Sequence, residues 1–348
     1  MRLLFTAWAW PSHLYAMVPL AWACRAAGHD VVLASQPALR GMIEATGLPA
    51  AVVGRDVDAV GMVRGYLLPA RASGPADTAS RDDVASRAVA APQAGAGPRA
   101  LAMVLANAAS MVDELLDLAK AWRPDAVVHD PTTMAGPVVA AAMGIPAVRH
   151  LYGTDLMLRG RAVLPEMLAP LAGRLGVTSF DPFGARTVDP WPVSLQVPDV
   201  PNRLAVRYVP FNGPGLLPFP LPDRSSRPRI LVSWGHTIAR VAPERFPVTE
   251  MVSALAADAD VVVAVSAEQR ALLGALPPAV TVLTDVPLEH LVDQCDLVVA
   301  HGGAGTILTA LHAGVPLLLV PQLPDHAGHS ARVEAVGAGG VLRHDEVE

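Results

Sequence analysis

Short runs of Val, Leu and Ala, nearly free of charge, recur along the whole chain, and they restrict its fold more than any other feature. The first series is RLLFTAW (2–8), DVVLAS (30–35), LPAAVV (48–53), DAVVHD (125–130) and IPAVRH (145–150). The second is RILVSW (229–234), DVVVAV (260–265), AVTVLT (279–284), DLVVAH (296–301) and VPLLLV (315–320). Near-continuous apolar runs, rather than strict alternation, are what strands covered on both faces require. The intervening segments read as helices: 16–27 with Pro19 tolerated in its first turn and Gly28 as C-cap, 37–46, 100–122, 135–143, and one from 155 to about 175. Strand–helix alternation of this kind predicts parallel sheets with right-handed crossovers. With 348 residues, 52% of them hydrophobic, a single core is exceeded. The predicted fold class is therefore α/β, two tandem doubly wound parallel-sheet domains.

Two stretches interrupt the pattern. Residues 54–98 are rich in Gly, Ala, Pro, Ser, Arg and Asp and read as a long mobile excursion; loops of that length are usually functional or disordered. Residues 208–228 hold six prolines in 21 positions and read as a crossing between domains. The expected division is 1–208, a linker over 209–228, and 229–348.

Composition removes several function classes. Charged residues make up 17% and the formal net charge is −6, with no Lys/Arg stripe, so nucleic acid is not an expected partner. Two cysteines, Cys24 and Cys295, cannot make a disulfide framework, and a reducing, cytoplasmic setting is expected. MRLLFTAWAW has the look of a signal peptide's start, but Pro11, Ser12 and His13 break it early and a buried first strand fits better. No charge-free run of about 18 apolar residues suggests stable membrane insertion.

The segment VVAHGGAGTILTAL (298–311) places a His and three glycines where a strand turns into a helix. The carboxyl end of a parallel strand is where open α/β sheets bind ligands. Glycine lets backbone approach a ligand closely, and the amides of Gly303, Ala304, Gly305 and Thr306 at a helix start attract phosphate. His301 and the Thr306 hydroxyl add side-chain donors. A tight turn with a capping Thr fits the same residues, and the segment is neither GxGxxG nor a nucleotide-hydrolase loop.

In its wider context, DVPLEHLVDQCDLVVAHGGAGTILTALHAGVPLLLVPQLPDHAGHSARVEAVGAG resembles the nucleotide-sugar signature of family 1 glycosyltransferases, in particular actinobacterial enzymes that attach deoxysugars to polyketides and other aglycones. The N-terminal SHL and PLAWACRAAGHDV pattern, VVHDP, YVPFNGPG and VSWGHT extend the resemblance over most of the chain. It implies a GT-B architecture, two Rossmann-like domains facing a cleft, with donor held mainly by the second and acceptor by the first. It implies that His301, Gly302 and the amides after it hold a diphosphate, and that Thr306 contacts a phosphate oxygen. Backbone at Val286 and Leu288 would read the base. Asp325 and His326 stand where the family has an acidic residue and Gln for sugar hydroxyls, with His326 replacing the Gln. Trp234, His236 and Thr237 would face the same cleft. The family continues into a helical tail, whereas this chain stops at RHDEVE, so a C-terminal domain lacking that tail is expected.

His13 follows the first strand. It suits packing or capping of the first helix, and equally a general base, since imidazole accepts a proton near neutral pH; the resemblance places the base here. A base of this kind wants an orienting carboxylate. Asp130, ending DAVVHD, is the best candidate, with an alternative role as N-cap before Pro131. His129 should point to the other side of that strand. His312, His326 and His329 lie near the signature, but no carboxylate or Cys completes a usual metal set, so neither metal nor resident cofactor is expected. The expected activity is inverting transfer of a (deoxy)sugar from a dTDP- or UDP-sugar to a lipophilic acceptor, with homodimer formation left open. Two alternatives stand beside it: a non-catalytic homologue that activates a partner enzyme, and a nucleotide-sugar epimerase.

Overall fold

The computed structural model describes residues 1–67, 96–216 and 223–342. They form two compact units. The first comprises Met1–Val57, Ala102–Leu216 and Pro287–Glu289; the second takes its described residues from Asp58–Leu101, Leu217–Val286 and His290–Glu348.

The first unit is built on β1 (Arg2–Thr6), β2 (Asp30–Ser35), β3 (Ala50–Val52), β4 (Ala126–His129), β5 (Ala147–His150), β6 (Arg186–Asp189) and β7 (Arg203–Ala205). All pairings are parallel, in the order β3-β2-β1-β4-β5-β6-β7. The helices of this half of the chain are α1 (Pro11–Ala26), α2 (Arg40–Ala45), α3 (Ala59–Leu67), α4 (Ala96–Trp122), α5 (Ala135–Met143) and α6 (Leu164–Arg174), of which α3 belongs to the second unit. Leu3 and Phe5 of β1 pack with Val31, Leu33, Ala126 and Val128 against Leu14, Met17, Val18 and Ala21 of α1. Leu4 and Val127, on the opposite face, are equally sealed. Both faces of the sheet are therefore apolar, and this is why its strands read as unbroken runs.

The second unit has β8 (Arg229–Ser233), β9 (Asp260–Val265), β10 (Thr281–Thr284), β11 (Leu297–Ala300), β12 (Leu317–Leu319) and β13 (Gly339–Val341), again all parallel, in the order β10-β9-β8-β11-β12-β13. Its remaining helices are α7 (Thr237–Val241), α8 (Val248–Leu255), α9 (Ala267–Arg270), α10 (Ala304–Ala313) and α11 (Pro324–Ala335). Val232, Trp234, Val261, Val263 and Val299 form its core with Val248, Met251 and Val252 of α8.

In each sheet the chain winds outward from a central strand, returns, and winds the other way. The switch lies between β1 and β4 in the first and between β8 and β11 in the second. Thr6 stands beside His129, and Ser233 beside Ala300, so the loops leaving each pair start side by side. Such points are where doubly wound sheets bind ligands.

Several boundaries differ from the sequence expectation. Helix α1 begins at Pro11, not Ala16: proline is well suited to a first helical position, where its missing N–H is not needed. Pro19 is consequently inside the helix, and His13 lies in its first turn. Residues 54–98 are not wholly irregular, since they contain α3 and the start of α4; residues 68–95 of that segment lie outside the described residues. The helix expected from 155 begins only at Leu164, after a 3-10 turn over Leu156–Gly160. Strands β6, β7 and β13 were not expected; none exceeds four residues, too few to show a period. No described helix is long and apolar enough to cross a membrane.

Candidate functional site

At the switch point of the first unit, the loop leaving β1 leads through Trp8 and Trp10 into α1, and the loop leaving β4 begins with Asp130. His13 Nδ1 donates to Asp130 Oδ1 at 3.0 Å, across 117 residues of sequence. Asp130 Oδ1 also accepts from the Thr132 amide (2.9 Å) and hydroxyl (2.6 Å). Its Oδ2 accepts from the Thr133 hydroxyl and, at 3.4 Å, from the Trp8 amide. Burial alone would raise the Asp130 carboxyl; the His13 ring and the Thr132 and Thr133 hydroxyls outweigh it and hold it at about 2. An ionised, fully satisfied carboxylate fixes the His13 hydrogen on Nδ1 and leaves the Nε2 lone pair outward, the tautomer being assigned from that partner. The Asp130 carboxylate does not cap α5, which starts at Ala135 behind Met134; it closes the turn over Asp130–Thr133 instead. That settles its local role against the N-cap alternative.

Aromatic rings enclose His13. The Tyr152 ring centre is 4.2 Å away, tilted 46°, and Trp8 stands at 5.2 Å nearly perpendicular. Trp8 in turn stacks on Trp10 at 5.2 Å. His129 points to the opposite face, its Nδ1 donating to the Asp130 carbonyl at 2.9 Å. It is wholly buried, and desolvation holds it at about 4, neutral at physiological pH.

At the switch point of the second unit, His301 follows β11 and Gly235 follows β8. Gly235 has φ +58°, and a Cβ there would lie 2.5 Å from His301 Cε1; a Cβ on Gly303 would collide with Nε2 of the same ring. The imidazole is held between two glycine backbones. Gln269, tied to Ser266 in a capping box, donates to the Gly235 carbonyl and so fixes that backbone. Gly302, at φ +93°, leaves no room for a side chain: its Cβ would meet Ser330 Oγ at 2.7 Å and the His326 carbonyl at 3.1 Å. His329 Nδ1 donates to the Gly302 carbonyl at 3.2 Å. Helix α10 opens at Ala304 with Gly303 as an extended N-cap and no side-chain cap. Its first intrahelical amide bond runs from Ile307 to the Gly303 carbonyl, so the Ala304, Gly305 and Thr306 amides precede the ladder. Gly305 is exposed, and Gly303 and Thr306 are half-buried.

The side chains around this loop are not equivalent. His326 is 3% exposed and stands edge-on to His301 at 4.6 Å. Burial, then the neighbouring His326, pushes His301 well below the usual histidine range; burial holds His326 at about 4. Both rings are neutral. Asp325 is half-buried; burial works against its ionisation, but His326 and His329 prevail and keep it below the ordinary carboxylate range.

Most of the expected donor residues thus converge: His301, Gly302, Gly303, Ala304, Gly305, Thr306, Asp325 and His326 surround one loop. Trp234 does not present its side chain as a ligand surface. It is fully buried in the core and donates from Nε1 to Gln322 Oε1 at 2.7 Å. His236 is exposed at the head of α7, and Thr237 follows it, half-buried. Val286 is half-buried just beyond β10. Leu288 is buried and is grouped with the first unit, where its neighbour Glu289 exchanges two hydrogen bonds with Asn212. Among the described residues no three His, Cys, Asp or Glu side chains converge in a metal-holding arrangement. Sequence reasoning missed Thr132, Thr133, Trp8 and Gly235. Two hydroxyls directly after an aspartate were the available signal for the threonines; nothing in the sequence flagged the others.

Comparison with known proteins agrees with this layout. The profile of the erythromycin biosynthesis protein CIII-like N-terminal domain matches residues 22–235, and its C-terminal counterpart matches 249–348. Aklavinone 7-beta-L-rhodosaminyltransferase of Streptomyces galilaeus is 37% identical over 100% of this chain and 85% of its own length. Tylactone mycaminosyltransferase of Streptomyces fradiae is 34% identical over 97% and 80%. Among solved structures, the spinosyn rhamnosyltransferase SpnG superposes with a TM-score of 0.81 at 31% identity, covering 100% of this chain and 90% of that one. The glycosyltransferase VinC in complex with dTDP does so at 0.77 and 31%, covering 100% and 88%. Two Rossmann-like units, each with polar side chains gathered at its switch point, and full-length similarity of this degree lead to one conclusion: the chain belongs to the erythromycin biosynthesis protein CIII-like, GT-B-fold group of family 1 natural-product glycosyltransferases.

Proposed function

We propose that this enzyme transfers a deoxysugar from a dTDP- or UDP-sugar to a hydroxyl of a lipophilic natural-product acceptor, with inversion at the anomeric carbon and without a metal or resident cofactor. The observation that carries the reading is the His13–Asp130 pair at the first switch point. Asp130 holds the imidazole in one tautomer and stabilises its cation, as an orienting carboxylate must. His13 Nε2 takes the acceptor's proton while the acceptor oxygen attacks the anomeric carbon, and the nucleoside diphosphate departs.

The second unit supports the other half of the step. The amides of Ala304, Gly305 and Thr306, the Thr306 hydroxyl and one N–H of neutral His301 are donors fixed in place before the reaction. Charge growing on the departing phosphate is met by dipoles that need not reorganise, and such preorganised donors usually lower a barrier more than any other device. Asp325, half-buried beside the loop, is the acceptor for sugar hydroxyls. Relatives matching 97% and 100% of this chain include a 10-deoxymethynolide desosaminyltransferase and an erythronolide mycarosyltransferase, and SpnG has also been solved complexed with spinosyn aglycone. These support a deoxysugar donor and a polyketide-like acceptor. The intact HGGAGT loop and the satisfied His13–Asp130 pair argue against a non-catalytic homologue.

Transfer measured from a panel of dTDP- and UDP-sugars to macrolide and anthracycline aglycones tests the reading. His13→Ala should abolish transfer, and undiminished turnover by that variant would remove the base assignment. A dTDP or UDP concentration 100-fold above Kd should stabilise the protein by about 2.7 kcal/mol. A melting temperature unmoved by either nucleotide would sink the donor-site half.

A further inference from the structure

The five-residue turn after β5, Leu151–Asp155, is fastened far more heavily than its length requires. Arg149 of β5 reaches forward to Asp155 with two hydrogen bonds, at 3.2 and 2.6 Å, and both side chains are fully buried. Arg149 also donates to Thr187 at 3.2 Å and lies over the Phe183 ring at 4.4 Å. Gln196 accepts from the Asp155 amide at 2.9 Å and donates to the Gly153 carbonyl at 3.3 Å. A buried ion pair contributes little net stability compared with apolar packing, so its presence under one short turn points to geometry as the purpose. Of the five residues, Leu151, Gly153, Thr154 and Asp155 are buried; Tyr152 alone is not. Its ring is the one 4.2 Å from His13.

From this geometry we infer that Tyr152 is a positioning residue for the base, its ring stabilising the His13 imidazolium that forms when the acceptor's proton is taken. The inference rests on the assignment of His13 as the base. A cation within about 6 Å of an aromatic ring centre is attracted by the ring quadrupole, by roughly 0.5–1 kcal/mol at partly exposed sites. Among the described residues, few groups face His13. The turn after β4 brings Asp130 at 3.0 Å and the Thr132 hydroxyl at 3.3 Å, and the loop after β1 brings the neutral Trp8 ring. His129, on the other face of β4, is neutral. Among the described residues Asp130 favours the cation by charge, and the Tyr152 and Trp8 rings favour it by their quadrupoles, Tyr152 from the shorter distance. Proton transfer to Nε2 leaves the electron pair of the acceptor O–H bond on the attacking oxygen, and the ring interacts more strongly with His13 after that transfer than before it. This differential is what lowers a barrier.

The test is the titration of the His13 ring, followed by NMR in the full chain labelled with 15N-histidine and assigned with His13→Gln. It needs no donor or acceptor. Tyr152→Leu should move the titration to lower pH by roughly half a unit, the shift that the ring attraction converts to. Tyr152→Phe, which keeps the ring, should leave it in place. Should Tyr152→Leu not fold, Tyr152→Met serves as the ring-free variant. An unmoved titration in the ring-free variant, or an equal shift in Tyr152→Phe, overturns the proposal while leaving the base assignment intact. A shift as expected alongside a fully active His13→Ala overturns it from the other side, because the base reading has then failed.

Discussion

Three buried histidines should make this enzyme sensitive to mild acid. Desolvation holds His129, His150 and His326 at about 4, whereas an unfolded chain's histidines titrate near 6.5. The native state therefore refuses protons that the unfolded state accepts. The stability these rings contribute is complete above pH 6.5, falls as pH drops through 6.5 towards 4, and falls no further below that. At pH 5 each ring costs on the order of 2 kcal/mol relative to pH 7.5. His129 and His150 both belong to the first unit, so that unit alone loses about 4 kcal/mol, a large share of the ~5–15 kcal/mol typical of a domain. At roughly 2–4 °C per kcal/mol for a domain of this size, its melting temperature should drop by about 10 °C. Asp130 does not offset this, because its contribution stays complete until pH falls below about 4. Calorimetric melts at pH 7.5, 6.5, 5.5 and 5.0, at fixed ionic strength, read the effect directly. His150→Leu should remove about half of the first-unit loss, since that ring is one of the two that resist protonation there. A melting temperature constant within 2 °C across this range, or a fall that starts only below pH 4.5, would refute the assignment of these rings as neutral and desolvated.

Other perturbations follow from the same contacts. Asp130→Asn should cut turnover by about 10²–10⁴ while changing KM little, because the carboxamide cannot stabilise the His13 cation; steady-state kinetics with the cognate pair checks this. Its stability effect has the same pH sense as that of the histidines but lies lower on the scale: the stabilisation, on the order of 2 kcal/mol, is present above pH 4 and lost as pH falls towards 2. Gly235→Ala should cost about 1–3 kcal/mol through its left-handed backbone and displace the His301 ring, so the thermal shift induced by dTDP or UDP should shrink or vanish. Arg149→Ala should cost about 3–5 kcal/mol by stranding the buried Asp155 carboxylate, whereas Arg149→Met with Asp155→Leu should recover most of it; urea unfolding distinguishes the two.

Much of the architecture was legible in the sequence because it is written locally. Unbroken apolar runs bounded by Gly and Pro declare strands buried on both faces, and ten of the thirteen described strands were found that way. The three missed, β6, β7 and β13, are short pieces of three or four residues placed by pairing with their neighbours in the sheet, and GGV of β13 has no strand character of its own. The HGGAGT loop could be placed at a helix start from its glycines alone. What no local pattern contains is distance between remote residues. His13 and Asp130 are partners because β1 lies beside β4 in the sheet, and that adjacency comes from strand order. Burial likewise separated Trp234 of VSWGHT and His326 of the signature, which turn inward, from Thr306 and Asp325, which keep surface. Two parallel sheets and a glycine-rich loop at a helix start were therefore readable from residue order, since periodicity and turn chemistry act over a few positions. The gathering of Thr132, Thr133, Trp8 and Tyr152 around His13 was not, because long-range strand pairing and a buried ion pair under one turn bring them there.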